Sequence, residues 1–390
     1  MIGLFKGIRI GTTRNPATLF SMIGMAITTF VLVCAAPAQT YQVIHTFSGD
    51  AAGGFPGKWL VVDSSGNVYG TTIAGGILNN GTVFKVNKNG VLSTIYSFAG
   101  RPDGVAAFGR LLRDGWGNIY GTTSNGGGLA DAGSVFRLDR TGSESVLYGF
   151  AGRPDAANPE EGMVRDSAGN LYGTTNRGGA IDAGTVFKLD AAGHETVLHS
   201  FGGPEGSYPQ GPVVFDSGNL YGTVPNAAAG GCVYQIDKSG NFRVLYTFRG
   251  GADGHAPTSI LVLDELKNIY GVTSDGGTHG FGTVFKLEKT GKKTTLYNFK
   301  GGWDGKWPSG LIRDESGNLY GTMGAGGDSN QGTIFKLDRS GHKKVLYRFR
   351  GGKDGAYPYG GVVRDSSGNL YGTTYWGGAY NQGTIYKLSL

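Results

Sequence analysis

An acidic residue recurs shortly after each strand-like run that ends in an aromatic: Asp103, Asp155, Glu205, Asp253, Asp304 and Asp354. A ring of carboxylates on one face would suit Ca²⁺ or a cationic ligand. Five of the six are aspartates followed by Gly or Ala, and Asp-Gly is a turn dipeptide whose carboxylate bonds nearby backbone N–H groups. No contiguous Asp-x-Asp-x-Asp-Gly loop occurs. The expected role is therefore a turn, with no metal and no cofactor.

Aromatics that not all parts of the chain share are better candidates for binding. Trp303, Trp307, Tyr359, Tyr375, Trp376 and Tyr380, with Tyr357, fall in Gly-rich segments near the C-terminus, and Phe55 and Trp59 are their counterparts near the start. Exposed Trp and Tyr stack on sugar rings or anchor protein interfaces. The competing reading is loop self-packing, since Trp307 and Tyr357 align with Phe55 and Tyr208. For catalysis the candidates are single departures from the local pattern: His255, His279, Glu160, Glu161 and Arg177. One His pair without a carboxylate at ligand spacing is weak for zinc. Gly-x-Ser-x-Gly, His-Glu-x-x-His and phosphate-loop motifs are absent, so no catalytic residue is assigned. Of the two cysteines, Cys34 and Cys232, the second stands where parallel segments have Thr or Ser, which marks it as a small buried residue.

The element that positions these residues is a repeat. Asn-[Val/Ile/Leu]-Tyr-Gly occurs seven times, with tyrosines at 69, 120, 172, 221, 270, 320 and 371. A period near 50 residues with strand-like content predicts propeller blades. The last full unit shows the grammar. Gly361–Asp365 reads as strand A. Asp365-Ser366-Ser367-Gly368-Asn369 is a tight turn, and Leu370–Thr374 is strand B. A Gly-rich loop leads to strand C, Gly383–Leu388. In the preceding unit Lys344–Phe349 is strand D. Comparable A strands are expected at Trp59–Asp63, Gly109–Asp114, Gly162–Asp166, Gly211–Asp216, Ser259–Asp264 and Gly310–Asp314. Repeat four has a shorter A–B turn, Asp216-Ser217-Gly218-Asn219. Repeat five has Lys267 where the turn Gly belongs.

The chain ends on a C strand without its D. Tyr41–Phe47 is a D strand without its A, B and C. The two should complete each other, giving an all-β, seven-bladed propeller of four-stranded blades closed by the N-terminal strand. The longer D–A and B–C loops then share one face, the natural binding surface.

Residues 1–38 read as a secretory signal. Basic residues precede an apolar run from Leu19 to Ala36, and Ala36-Pro37-Ala38 fits a small-x-small cleavage site. An uncleaved anchor is the alternative, because the run is long enough to span a bilayer. Residues 39–390 form the propeller. Without the first 38 residues the chain holds 32 Lys+Arg against 29 Asp+Glu, which excludes a strongly basic nucleic-acid protein.

Tyr172–Thr175, Gly184–Asp190 and Val345–Gly352 carry the patterns Tyr-Gly-Thr-Thr, Gly-Thr-Val-Phe-Lys-Leu-Asp and Val-Leu-Tyr-x-Phe-x-Gly-Gly. Together they resemble the GloVer (Gloeobacter/Verrucomicrobia) tandem repeat of secreted bacterial proteins. Asp-x-x-Gly-Asn-Leu-Tyr is also similar to the strand–turn–strand of NHL-type propellers. The resemblance implies export and tandem β units and assigns no activity. The expected protein is a monomeric, secreted, periplasmic or cell-surface binding module for a polysaccharide or a cell-envelope protein. A propeller lyase or hydrolase and a purely structural surface protein are the alternatives.

Overall fold

The computed structural model describes residues 39–390 except 102, 228 and 229. The secretory-signal reading of residues 1–38 lies outside the described residues. Seven antiparallel sheets follow one another along the chain, each built in the order A-B-C-D. In blade six these are Lys306–Arg313, Leu319–Ala325, Thr333–Leu337 and Lys343–Arg348. Blade seven takes Val363–Arg364, Leu370–Thr374 and Thr384–Ser389 from the C-terminus and closes on Thr40–Thr46. That closing ladder is antiparallel, with Tyr41 opposite Leu388 and Thr46 opposite Thr384. The ring closes as the leftover strands required. No helix among the described residues is long and apolar enough to cross a membrane.

The repeated Asp, Asn and Tyr form one hydrogen-bonded unit at the A–B turn. In blade seven Asp365 Oδ1 accepts from Ser367 N (2.9 Å) and Asn369 N (2.8 Å), and Oδ2 accepts from Asn369 Nδ2 (2.8 Å) and Tyr371 Oη (3.1 Å). The motif tyrosine is thus a turn anchor as well as a packing residue. The Gly that follows it has a packing reason: a methyl on Gly372 would lie 2.2 Å from the Tyr386 hydroxyl of strand C. The turn of repeat four lacks this unit, and Asp216 is met instead by Lys267 Nζ of the next blade. The two departures from the repeat therefore answer each other, although Lys267 takes a left-handed φ of 65° to do so.

Blades pack through aromatic pairs. The Phe that follows each D strand is buried, and it meets a strand C ring of the next blade, as in Phe98–Phe136 (5.2 Å, 72°) and Phe349–Tyr386 (5.2 Å, 63°). Each junction also holds an apolar cluster drawn from two neighbouring blades, such as Phe47, Leu60, Phe84, Tyr371 and Ile385 between blades seven and one. Every C–D ladder has a register shift near its middle, which adds twist to the outer strand.

The A strands differ from expectation. Their inner parts are only two or three residues long, as at Val61–Val62 and Leu112–Arg113, except in blade six. A left-handed residue and usually a proline interrupt each one. The segment that carries the left-handed residue pairs with the far end of strand B, as Gly54–Pro56 does with Val68–Ala74 and His255–Pro257 with Ile269–Asp275. Part of what reads as D–A loop is therefore a ladder extension.

Candidate functional site

The interruption places one residue per blade in the left-handed region: Phe55, Ala106, Asn158, Tyr208, Ala256, Trp307 and Tyr357, with φ between 51° and 59°. Non-glycine residues seldom adopt this conformation, and it persists only where the surroundings enforce it. The enforcement is visible. Phe55 N donates to Gln382 O (2.8 Å), Tyr208 N to Ala183 O (2.8 Å) and Tyr357 N to Gln331 O (2.9 Å), each in the B–C loop of the preceding blade. The following proline then seats on the Gly that opens the preceding strand C. A methyl on Gly383, itself at φ 92°, would come within 2.5 Å of Pro56 Cδ. The fold thus repeats one backbone device seven times and leaves the side chain at its centre free to vary.

The residues just after the device converge on the channel. A cavity of about 410 Å³ opens there, and all seven blades contribute to it. Its walls divide by chemistry. Trp59, Trp307, Tyr359 and Tyr375 supply an aromatic side from blades one, six and seven. Glu161, Gln210, Thr258 and Ser274 supply a polar side from blades three, four and five. Trp59 is 6% exposed and packs on Gly310 and Gly361, where an added methyl would lie 2.5 and 2.3 Å from its ring. Threonines of strand B lock the rim: Thr373 Oγ1 donates to Gly57 O (3.0 Å) and Thr174 Oγ1 to Gly211 O (3.2 Å).

One ion pair crosses the cavity wall. Lys58 Nζ lies 3.1 Å from Glu161 Oε1, with the Glu161 side chain 9% exposed and that of Lys58 41% exposed. The Glu161 carboxylate holds the Lys58 ammonium above its usual range against the opposing effect of burial. Burial pushes the neighbouring Glu160 carboxyl up, and Lys58 acts in the opposite direction.

The sequence-selected aromatics divide. Trp307, Tyr359 and Tyr375 line the cavity. Tyr359 and Tyr375 are in edge contact (6.2 Å, 64°), and Tyr375 touches Trp376 (5.3 Å, 84°). Trp376 stands one step outside, edge-on to Phe55 at 5.1 Å. Trp303 and Tyr380 do not join them. Trp303 sits in the 3₁₀ turn Gly302–Asp304, 71% exposed, with the Arg348 guanidinium 5.8 Å from its ring. Tyr380 is exposed in the B–C loop of blade seven. Phe108, Gln210, Thr258 and Lys58 went unnoticed in the sequence because they belong to no motif. Four prolines, Pro209, Pro257, Pro308 and Pro358, mark this lining, since the residue after each one faces the cavity.

The catalytic candidates do not assemble. Arg177 pairs with Asp182 (3.1 Å) and covers the Tyr208 ring, and His279 bonds Thr278 Oγ1 (2.9 Å). Neither lines the cavity, nor does His255. The loop acids are turn anchors: Asp304 Oδ2 accepts from Lys300 N (2.8 Å) and Oδ1 from Tyr297 Oη (3.1 Å). Cys232 is fully buried, burial and Glu205 push its thiol up to about 12, and its Sγ faces Glu205 O (3.4 Å). Among the described residues no three His, Cys, Asp or Glu side chains gather to hold a metal.

A sequence model of the Gloeobacter/Verrucomicrobia repeat matches residues 28–230 and 225–390. The chain belongs to this repeat family. The six Asp–Asn–Tyr turns and the left-handed rim described above are thus structural features of a Gloeobacter/Verrucomicrobia repeat protein. No protein with a curated description matches the chain. Among solved structures, it is similar to an extracellular domain ascribed to a hybrid two component system of B. thetaiotaomicron, with 14% identity and a TM-score of 0.57. That match covers 89% of this chain and 41% of the other, so the chain spans well under half of that structure's length. A gluconolactonase from Xanthomonas campestris matches with 14% identity and a TM-score of 0.43, covering 90% of each chain. At 14% identity the likeness to the extracellular domain is one of fold.

Proposed function

We propose that this Gloeobacter/Verrucomicrobia repeat protein is an exported, non-catalytic propeller that binds a saccharide unit of a polysaccharide at the seven-blade cavity. The observation that carries the reading is the division of the cavity wall. A sugar ring offers a C–H face that stacks on aromatics and a rim of hydroxyls that needs donors and acceptors. Trp307, Tyr359 and Tyr375 supply the first, and Glu161, Gln210, Thr258 and Ser274 the second. A volume of about 410 Å³ is in the range of small-molecule sites. Lys58 and Glu161 satisfy each other, so they fix the wall and leave no free acid–base couple. Export is supported by the basic-then-apolar character of residues 1–38.

The test is a glycan array followed by calorimetry on the positive glycans. Tyr359→Ala and Trp307→Ala should each weaken binding about tenfold or more, while Trp303→Ala leaves it unchanged. Equal loss in Trp303→Ala, or equal retention by all three variants, would remove the cavity as the site. Release of shortened glycan during the assay would favour a propeller hydrolase or lyase. Capture of an envelope protein with no glycan signal would favour a protein partner.

A further inference from the structure

The D-strand residue opposite the end of strand C occupies equivalent register in every blade. Lys293 faces Leu287, Lys343 faces Leu337, Glu144 faces Leu138 and Glu195 faces Leu189. In blades five, six and seven this residue reaches the acidic loop of the preceding junction. Blades five and six place an ammonium there. Lys293 Nζ donates to Asp253 O (2.6 Å), Asp253 Oδ1 (3.0 Å) and Thr295 Oγ1 (2.8 Å). Lys343 Nζ donates to Asp304 O (2.5 Å) and Oδ1 (2.7 Å). Blade seven places the Tyr41 hydroxyl on Asp354 O (2.6 Å).

Blades two and three put a carboxylate where the ammonium belongs. Glu144 and Glu195 hold the register of Lys293 and Lys343, and the charges of Asp103 and Asp155 act on them. Asp103 is 8% exposed, and its Oδ1 has no hydrogen-bond partner. Glu144 Oε1 and Glu195 Oε1 are buried and equally unpartnered. Burial and then the aspartate charge push both glutamates up to about 7. Orphaned buried carboxylate oxygens are costly, yet the same substitution stands at two successive junctions. The oxygens that hold an ammonium in blades five and six are a main-chain carbonyl and a carboxylate. A second carboxylate added to that pair makes a hard-oxygen donor set of charge −2.

We propose that the junction between blades one and two binds a divalent cation of the Ca²⁺ class between Asp103 and Glu144. The cation takes the place that the lysine ammonium fills in blades five and six and ties neighbouring blades together in the same way.

The experiment uses the purified full chain, stripped of metal, with Tb³⁺ and Ca²⁺ as probes. Tyr96 faces Asp103, so tyrosine excitation should sensitise bound Tb³⁺. The expected result is saturable emission displaced by Ca²⁺, with a melting temperature at least about 2 °C higher in CaCl₂ than in EGTA. Glu144→Lys rebuilds the lysine junction. It should lose the Tb³⁺ signal and melt identically with and without Ca²⁺. Glu144→Gln gives the same readout should the lysine variant fail to fold. Two results overturn the proposal. One is a wild type indifferent to both ions while the glutamine variant melts higher, which would assign the place to a shared proton. The other is a Ca²⁺ response that survives in either variant.

Discussion

Tyr41 stacks on Tyr347 of blade six, with ring centroids 3.7 Å apart and planes 7° from parallel. The first strand therefore does more than pair with the last: it locks blade seven to blade six through this stack and through the Tyr41 hydroxyl on Asp354 O. Tyr41→Ala should destabilise the domain by about 2 kcal/mol, read as a shift in urea midpoint at unchanged slope. Deleting Tyr41–Phe47 should be far worse. It removes the fully buried Phe47 and leaves Thr384–Ser389 as an open edge, so aggregation is expected in size-exclusion chromatography. A deletion variant that stays monomeric with an unchanged melting curve would contradict closure as a source of stability.

Much of this was legible in the sequence, for a physical reason. A propeller is a sum of near-identical blades, so turns, strand alternation and the two unmatched ends all repeat a pattern that one chain displays seven times. Blade number, closure and the buried role of Cys232 followed from alignment of the repeats alone. The site was only half legible. The sequence groups Trp303 and Tyr380 with Trp307, Tyr359 and Tyr375 because it gives loop membership and not direction, and the structure places the last three at the cavity. Trp303 is carried outward by its 3₁₀ turn, beside the outer strand. Lys58 and Gln210 are not legible because the cavity-lining position varies from blade to blade, while the seven left-handed residues beside it vary in type and share only φ.

Acid should unfold this protein through its turns. Asp63, Asp114, Asp166, Asp264, Asp314 and Asp365 each sit where burial pushes the carboxyl up, but bonds from the turn Asn and the motif Tyr outweigh it and hold the group below its ordinary range. A folded pKa below the unfolded one means that the unfolded chain binds more protons as pH falls. The contribution is fully present above the unfolded value of about 4 and is lost as pH drops through the folded values. In Glu144→Gln/Glu195→Gln, which removes the two carboxyls that burial holds near 7 and whose protonation opposes the trend, melting temperature measured from pH 7 downward should hold until roughly pH 5 and then fall steeply. Asp314→Ala should flatten part of that fall and cost about 1–2 kcal/mol at neutral pH. A profile that stays level down to about pH 2 would show that these turns do not govern stability.

The Lys58–Glu161 pair makes a sharper test, because its two halves are unequally buried. Removing Lys58 strands a carboxylate that is nine-tenths buried. Breaking a buried pair costs several kcal/mol, and the partial exposure of Lys58 reduces this to about 1–3 kcal/mol for Lys58→Met. Lys58→Met/Glu161→Gln removes both charges and should recover at least half of that loss, since a neutral amide is cheaper to bury than an unpaired carboxylate. Glu161→Gln alone should cost less than Lys58→Met, because the freed ammonium still reaches solvent through its open side. Denaturant midpoints of the four proteins give the coupling directly. The same four read against a bound glycan separate wall stability from recognition: if the pair only fixes the wall, affinity should track stability across the set. Additive losses in the double variant would mean that the two charges act independently, and the polar side of the cavity would then need another support.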